Sequence, residues 1–114
     1  DSALQIYNEL ASPIKKQLKP TDNQIANAAE IYIGTGKCLE AKNNLTGALN
    51  SYIKVIALYP AKPFYSQALY RSGMIFIKQN QLEKAEKYFS ELIEYYPDSV
   101  FASKAIKARK KTKK

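Results

Sequence analysis

Residues 69–97 read LYRSGMIFIKQNQLEKAEKYFSELIEYYP, and the spacing of their apolar side chains is helical throughout. Leu69, Gly73 and Phe76, then Leu82, Ala85, Phe89 and Leu92, recur at intervals of three and four, with no strand-like alternation. The polar break Lys78-Gln79-Asn80-Gln81 divides the stretch into two helices, and a link so short makes them antiparallel. Pro97 closes the unit, because proline has no N–H for the preceding turn and turns its predecessor away from helix.

The unit occurs twice. A shift of 37 residues places Gly36 on Gly73, Asn43 on Asn80, Leu45 on Leu82, Ala48 on Ala85 and Ile56 on Ile93. The register continues through Tyr59-Pro60 on Tyr96-Pro97, Phe64 on Phe101, Ser66 on Ser103 and Ala68 on Ala105. These ten identities in 33 positions compare with about two or three expected between unrelated segments, and repeats of this length mark stacked supersecondary units. The pattern predicts helices at 22–41, 45–58, 62–79, 82–95 and 99–110, with Thr21 or Asp22 capping the first and Asp98 or Ser99 the last. Leu4, Tyr7, Ala11, Ile14 and Leu18 add an N-terminal helical stripe that Ser12-Pro13 kinks or restarts. The expected architecture is all-α: a short right-handed solenoid of antiparallel hairpins with five to six helices. It is read as one domain over 1–114, made of an N-terminal segment (1–20), repeats at 25–60 and 62–97, a C-terminal helix (99–110) and a basic tail (107–114).

Composition agrees and removes many chemistries. With 46% hydrophobic and 25% charged residues in 114, the chain has material for one core and is not of the disordered class. It holds no histidine and one cysteine, which excludes His/Cys zinc sites, Cys-His dyads and Ser-His-Asp triads built within this chain. Cys38 is expected to be a buried small hydrophobe. Acidic pairs such as Glu83/Glu86 and Glu91/Glu94 fall on polar helix positions, and Gly34-Thr35-Gly36 lies in mid-helix without the strand that precedes a phosphate loop. No catalytic residue, cofactor, metal or small-molecule substrate is expected. No apolar run reaches the roughly 18 residues that cross a bilayer.

Leu69, Gly73, Phe76, Ala85, Phe89 and Pro97 stand at the spacings of the tetratricopeptide repeat, which the second unit resembles closely; Tyr32, Gly36, Leu39, Ala48, Tyr52 and Pro60 follow it more loosely. The small residues are expected to let the helix backbones approach, while Leu39, Tyr52, Phe76 and Phe89 fill the volume beside them. The 37-residue period and the turn Tyr95-Tyr96-Pro97-Asp98-Ser99-Val100-Phe101-Ala102 resemble the repeats of BamD-type lipoproteins of the outer-membrane β-barrel assembly machinery, and also those of YbgF-type periplasmic proteins that bind TolA. The BamD-type resemblance implies a non-catalytic accessory component at the periplasmic face of the outer membrane, anchored by an upstream lipid. Its implied partner is the large BamA-like barrel-assembly subunit, met through its periplasmic domains. The YbgF-type resemblance implies a periplasmic adaptor.

Two surfaces are candidates for binding. On the first helix of each unit, Tyr70, Met74 and Ile77, with Ile33, Lys37 and Glu40 in register, form a stripe about 100° from the hairpin stripe. It reads either as a partly apolar peptide groove or as packing between repeats. The second surface is the tail: of the net charge of +8, six positive charges, Lys107, Arg109, Lys110, Lys111, Lys113 and Lys114, lie in the last eight residues. It reads as a membrane-attracting segment or as a solubilising helix end that complements the helix dipole. Sixteen lysines against two arginines disfavour nucleic acid, whose phosphates are better held by the arginine fork.

Overall fold

A computed structural model describes residues 21–112, and the N-terminal stripe from Leu4 to Leu18, with Lys113 and Lys114, lies outside them. The elements are α1 (Asp22–Ala41), α2 (Leu45–Leu58), α3 (Lys62–Lys78), α4 (Leu82–Tyr95), α5 (Val100–Arg109) and a 3-10 turn at Lys110–Thr112. Among the described residues there is no strand. The sequence spans hold to within one residue at every boundary, because each boundary has its own chemistry.

α1 opens with a capping box: the Gln24 amide donates to Thr21 Oγ1 (3.1 Å) and the Thr21 amide to Gln24 Oε1 (2.9 Å). Asn44 Oδ1 accepts from the Gly47 amide at the start of α2, and Ser99 Oγ from the Phe101 amide at the start of α5. α3 carries Pro63 in its first turn, where a missing N–H costs nothing. α1 and α3 stop in the same way: Asn43 and Asn80 sit at φ 64° and 60°, the left-handed conformation that asparagine tolerates better than most residues. In each case the two residues after the cap return their amides to the last turn, Asn43 to Glu40 and Asn44 to Leu39, then Asn80 to Ile77 and Gln81 to Phe76. The identity Asn43/Asn80 in the repeat is thus a backbone requirement of the hairpin turn.

α1 pairs with α2 and α3 with α4; α3 also receives α2, and α5 closes the far end against α3 and α4. The result is an elongated stack of 51 × 30 × 19 Å, a tetratricopeptide-like helical solenoid. Its core falls into two clusters. Ala29, Tyr32, Ile33, Ala48, Tyr52, Val55, Tyr59, Ala68 and Ile75 make the first, and Leu69, Phe76, Ala85, Phe89, Leu92, Ala102, Ala105 and Ala108 the second. Ala68 and Ile75 belong to the second hairpin but lie in the first cluster, so one side of α3 closes the preceding hairpin. Leu39 is half-buried.

Two expectations need correction. A Cβ on Gly36 would stand 2.4 Å from Tyr52 Cε1, and one on Gly73 2.4 Å from Phe89 Cε1, so a ring from the second helix, rather than its backbone, occupies the space over each glycine. Cys38 is exposed, not buried. It lies two residues, roughly 200°, beyond Gly36 and therefore away from α2. Its counterpart Ile75 is fully buried only because the first hairpin packs on that side of α3, whereas no described helix covers the corresponding side of α1.

Candidate protein-binding surface

The first helices of the hairpins form an inner layer. α1 touches α3 and α3 touches α5, while α2 and α4 have almost no contact with one another, so the stack curves with α1, α3 and α5 on its inner side. In the 37-residue register the inner positions are Ile33, Tyr70 and Lys107; Lys37, Met74 and Lys111; Glu40, Ile77 and Lys114. Lys107 and Lys111 thus continue the groove stripe in the repeat register, while Lys114 lies outside the described residues.

The structure uses these residues differently. Ile33 is 4% exposed and belongs to the first core cluster. Tyr70 is half-buried between two rings, 6.2 Å from Phe89 and 5.8 Å from Phe101. Met74 and Ile77 are half-buried beside it on the edge of the second cluster, and Lys37 is exposed. Glu40 joins the hairpins: its Oε1 accepts from the Tyr52 hydroxyl (2.6 Å) and from Arg71 Nη1 (3.3 Å), and its Oε2 lies 4.0 Å from Lys78 Nζ. Burial, then the hydrogen bond and charge of Glu40, push the Tyr52 phenol up, so it stays neutral and keeps donating. Where the first repeat pairs Tyr52 with Glu40, the second has Phe89 with Ile77, both apolar. Arg71 and Lys78, which the repeat pattern alone does not single out, are cations on the next repeat's first helix that meet an acid whose own repeat counterpart, Ile77, is apolar.

The tail is part of the fold as far as Thr112. Arg109 Nε lies 2.9 Å from Glu86 Oε2, and the Thr112 hydroxyl is 2.9 Å from Glu86 Oε1 and 2.7 Å from the Arg109 carbonyl oxygen. Ser90 Oγ donates to the same carboxylate at 3.0 Å. Burial pushes the Glu86 carboxyl up, but the hydrogen bonds from Thr112 and Ser90 and the charge of Arg109 outweigh it and hold the group below its ordinary value. A depressed folded pKa adds stability above the unfolded value of about 4.3 that is lost as pH falls through the folded pKa. Wild type should therefore be more stable than Glu86→Gln at pH 7, with the gap in melting temperature narrowing as the pH falls through and below the ordinary glutamate range; a gap independent of pH would show that the carboxylate charge contributes nothing. Elsewhere, burial and Glu91, which accepts from the Tyr65 hydroxyl at 2.8 Å, push that phenol up to about 12. Lys107, Lys110 and Lys111 are exposed.

Among the described residues no cluster of three or more His, Cys, Asp or Glu side chains could hold a metal ion, and no helix is long and apolar enough to span a membrane. What the geometry offers is a layered helical surface with a half-exposed apolar stripe. Residues 67–99, covering most of α3, all of α4 and the turn after it, match the tetratricopeptide repeat family. The second hairpin is a tetratricopeptide repeat. A relative named Photosystem I assembly protein Ycf3, from Acaryochloris marina, is 30% identical over 91 residues, which cover 80% of this chain and 54% of that protein. The chain therefore spans about half the length of that relative. No solved structure matches it significantly. The tetratricopeptide repeat points to a protein-interaction module, and neither match supports the BamD-type or the YbgF-type resemblance.

Proposed function

We propose that this chain is a non-catalytic scaffold that holds an extended segment of a partner protein on the inner side of α1, α3 and α5 while a larger complex is put together. The observation that carries the reading is the stripe Tyr70, Met74 and Ile77, left half-exposed on the middle helix of the inner layer although the second core lies directly beneath it. Apolar and aromatic side chains with a rigid base and an open face are what binding hot spots are made of, and methionine adapts to the shape of what it meets. The name of the Ycf3 relative, an assembly protein, supports a role in assembly rather than in chemistry.

The turn from Tyr95 to Ala102 supports a more specific form of the proposal, a reduced BamD-like accessory component at the periplasmic face of the outer membrane with a BamA-like partner; the YbgF-like adaptor is the second form. A photoactivatable crosslinking residue at exposed Lys37, on the first repeat's part of the inner stripe, tests the surface, with one at exposed Asn50 on α2 as the control. Capture from Lys37 and not from Asn50 is the expected outcome. Recovery of a barrel-assembly subunit supports the first form and recovery of TolA the second; equal capture from both positions refutes the inner-surface assignment.

A further inference from the structure

The inner stripe changes character at α5. From Val100 to Thr112 the chain has five cations, Lys104, Lys107, Arg109, Lys110 and Lys111, and no carboxylate. Only Arg109 among them is ion-paired within the described residues. Lys104 and Lys107 lie one turn apart on α5, Lys111 follows in the 3-10 turn that continues it, and all three are exposed. Like charges so placed repel one another, and none of the three lysines has an ion-pair partner among the described residues. The helix dipole explains cations in the last turn, but Lys104 is the fifth residue of a ten-residue helix.

This face is continuous with the apolar stripe. Lys104 Nζ sits 5.5 Å from the centre of the Phe101 ring, and that ring lies 5.8 Å from Tyr70. In the repeat register Lys107 and Lys111 succeed Tyr70 and Met74. An elongated ligand that lays apolar side chains against Met74 and Ile77 would meet these lysines next.

Building on the scaffold reading above, we propose that the α5 face of Lys104, Lys107 and Lys111 receives an acidic stretch of the partner segment, so that the ligand is a peptide with apolar residues followed by several Asp or Glu. A phosphate backbone would gain nothing from Met74 and Ile77. A bilayer is flat and would reach a surface on the inner side of a curved stack poorly. Lysines on flexible stems suit carboxylates arriving in variable geometry, and such attraction is screened by salt over about 8 Å at physiological ionic strength.

The test is fluorescence anisotropy of the full chain with a labelled synthetic peptide of two leucines, a spacer and four glutamates, beside the same peptide carrying glutamines. Wild type should bind the glutamate peptide at least tenfold more tightly at 50 mM salt, with the difference shrinking at 500 mM. Lys104→Glu/Lys107→Glu/Lys111→Glu should lose that preference and keep its far-ultraviolet circular dichroism and melting temperature. The charge-matched control Lys42→Glu/Lys84→Glu/Lys87→Glu should retain it. Equal affinity for both peptides overturns this inference and leaves the scaffold reading standing, as does binding to neither while Lys37 still crosslinks. Loss of preference in the control variant reduces the effect to net charge and overturns it too. Binding of wild type to vesicles rich in phosphatidylserine, abolished in the α5 variant while peptide binding is unchanged, assigns the lysines to lipid instead.

Discussion

Phe89→Ala should cost about 3–5 kcal/mol, a large part of the 5–15 kcal/mol that holds a domain of this size folded. Phe89 is fully buried, its ring lies over Gly73, and it also faces Tyr70, so its removal opens the second core beneath the inner stripe. The change is informative when paired with Gly73→Ala. Alone, Gly73→Ala forces a methyl to 2.4 Å from Phe89 Cε1, an overpacking of about 1–3 kcal/mol against which alanine's better helix propensity returns at most about 1. In the Phe89→Ala background the obstruction is gone, so Gly73→Ala should become neutral or stabilising. Urea titrations of the four proteins measure the reversal of sign; additive effects would mean that the ring does not rest on the glycine.

Ala85→Leu ranks second. Ala85 is fully buried, at 0% accessibility, in the second cluster with Phe76, Phe89 and Leu92. Three added carbons at such a site have no void to enter, and overpacking of this kind typically costs about 1–3 kcal/mol. The equivalent change at Ala48, also at 0%, should cost a similar amount because the register makes the sites equivalent. A melting temperature within a degree of wild type for either variant would remove that residue from the close contact between its hairpin's helices.

The helices and their order were legible because each is marked by local chemistry: Thr21, Asn44 and Ser99 at the starts, Asn43 and Asn80 at the stops, and Pro60 and Pro97 between units. Contacts between helices were less legible, since they depend on rotation about each axis and on which neighbour is present. Cys38 and Ile75 occupy the same repeat position, yet only Ile75 has a described hairpin stacked on it. The glycines pointed to a close approach, but the pattern could not separate a ring from a backbone as the approaching group. At the candidate surface, periodicity found Tyr70, Met74 and Ile77 on one stripe. It did not reveal that Ile33 turns into the core, or that Glu40 is held by Tyr52, Arg71 and Lys78, because those partners come from helices 12 to 38 residues away in sequence. The clasp of Arg109 and Thr112 on Glu86 was hidden for the same reason: a charge run read by itself looks like a solvated end.

The role of the inner layer as the binding surface is tested most directly by two-dimensional amide NMR of the chain titrated with the partner segment captured at Lys37. Shift changes should concentrate on α1, α3 and α5, at Lys37, Met74, Ile77 and Lys107, and leave the outer positions Asn50 and Lys87 unmoved. Changes confined to α2 and α4, with Met74 and Ile77 silent, would place the partner on the outer side and contradict it.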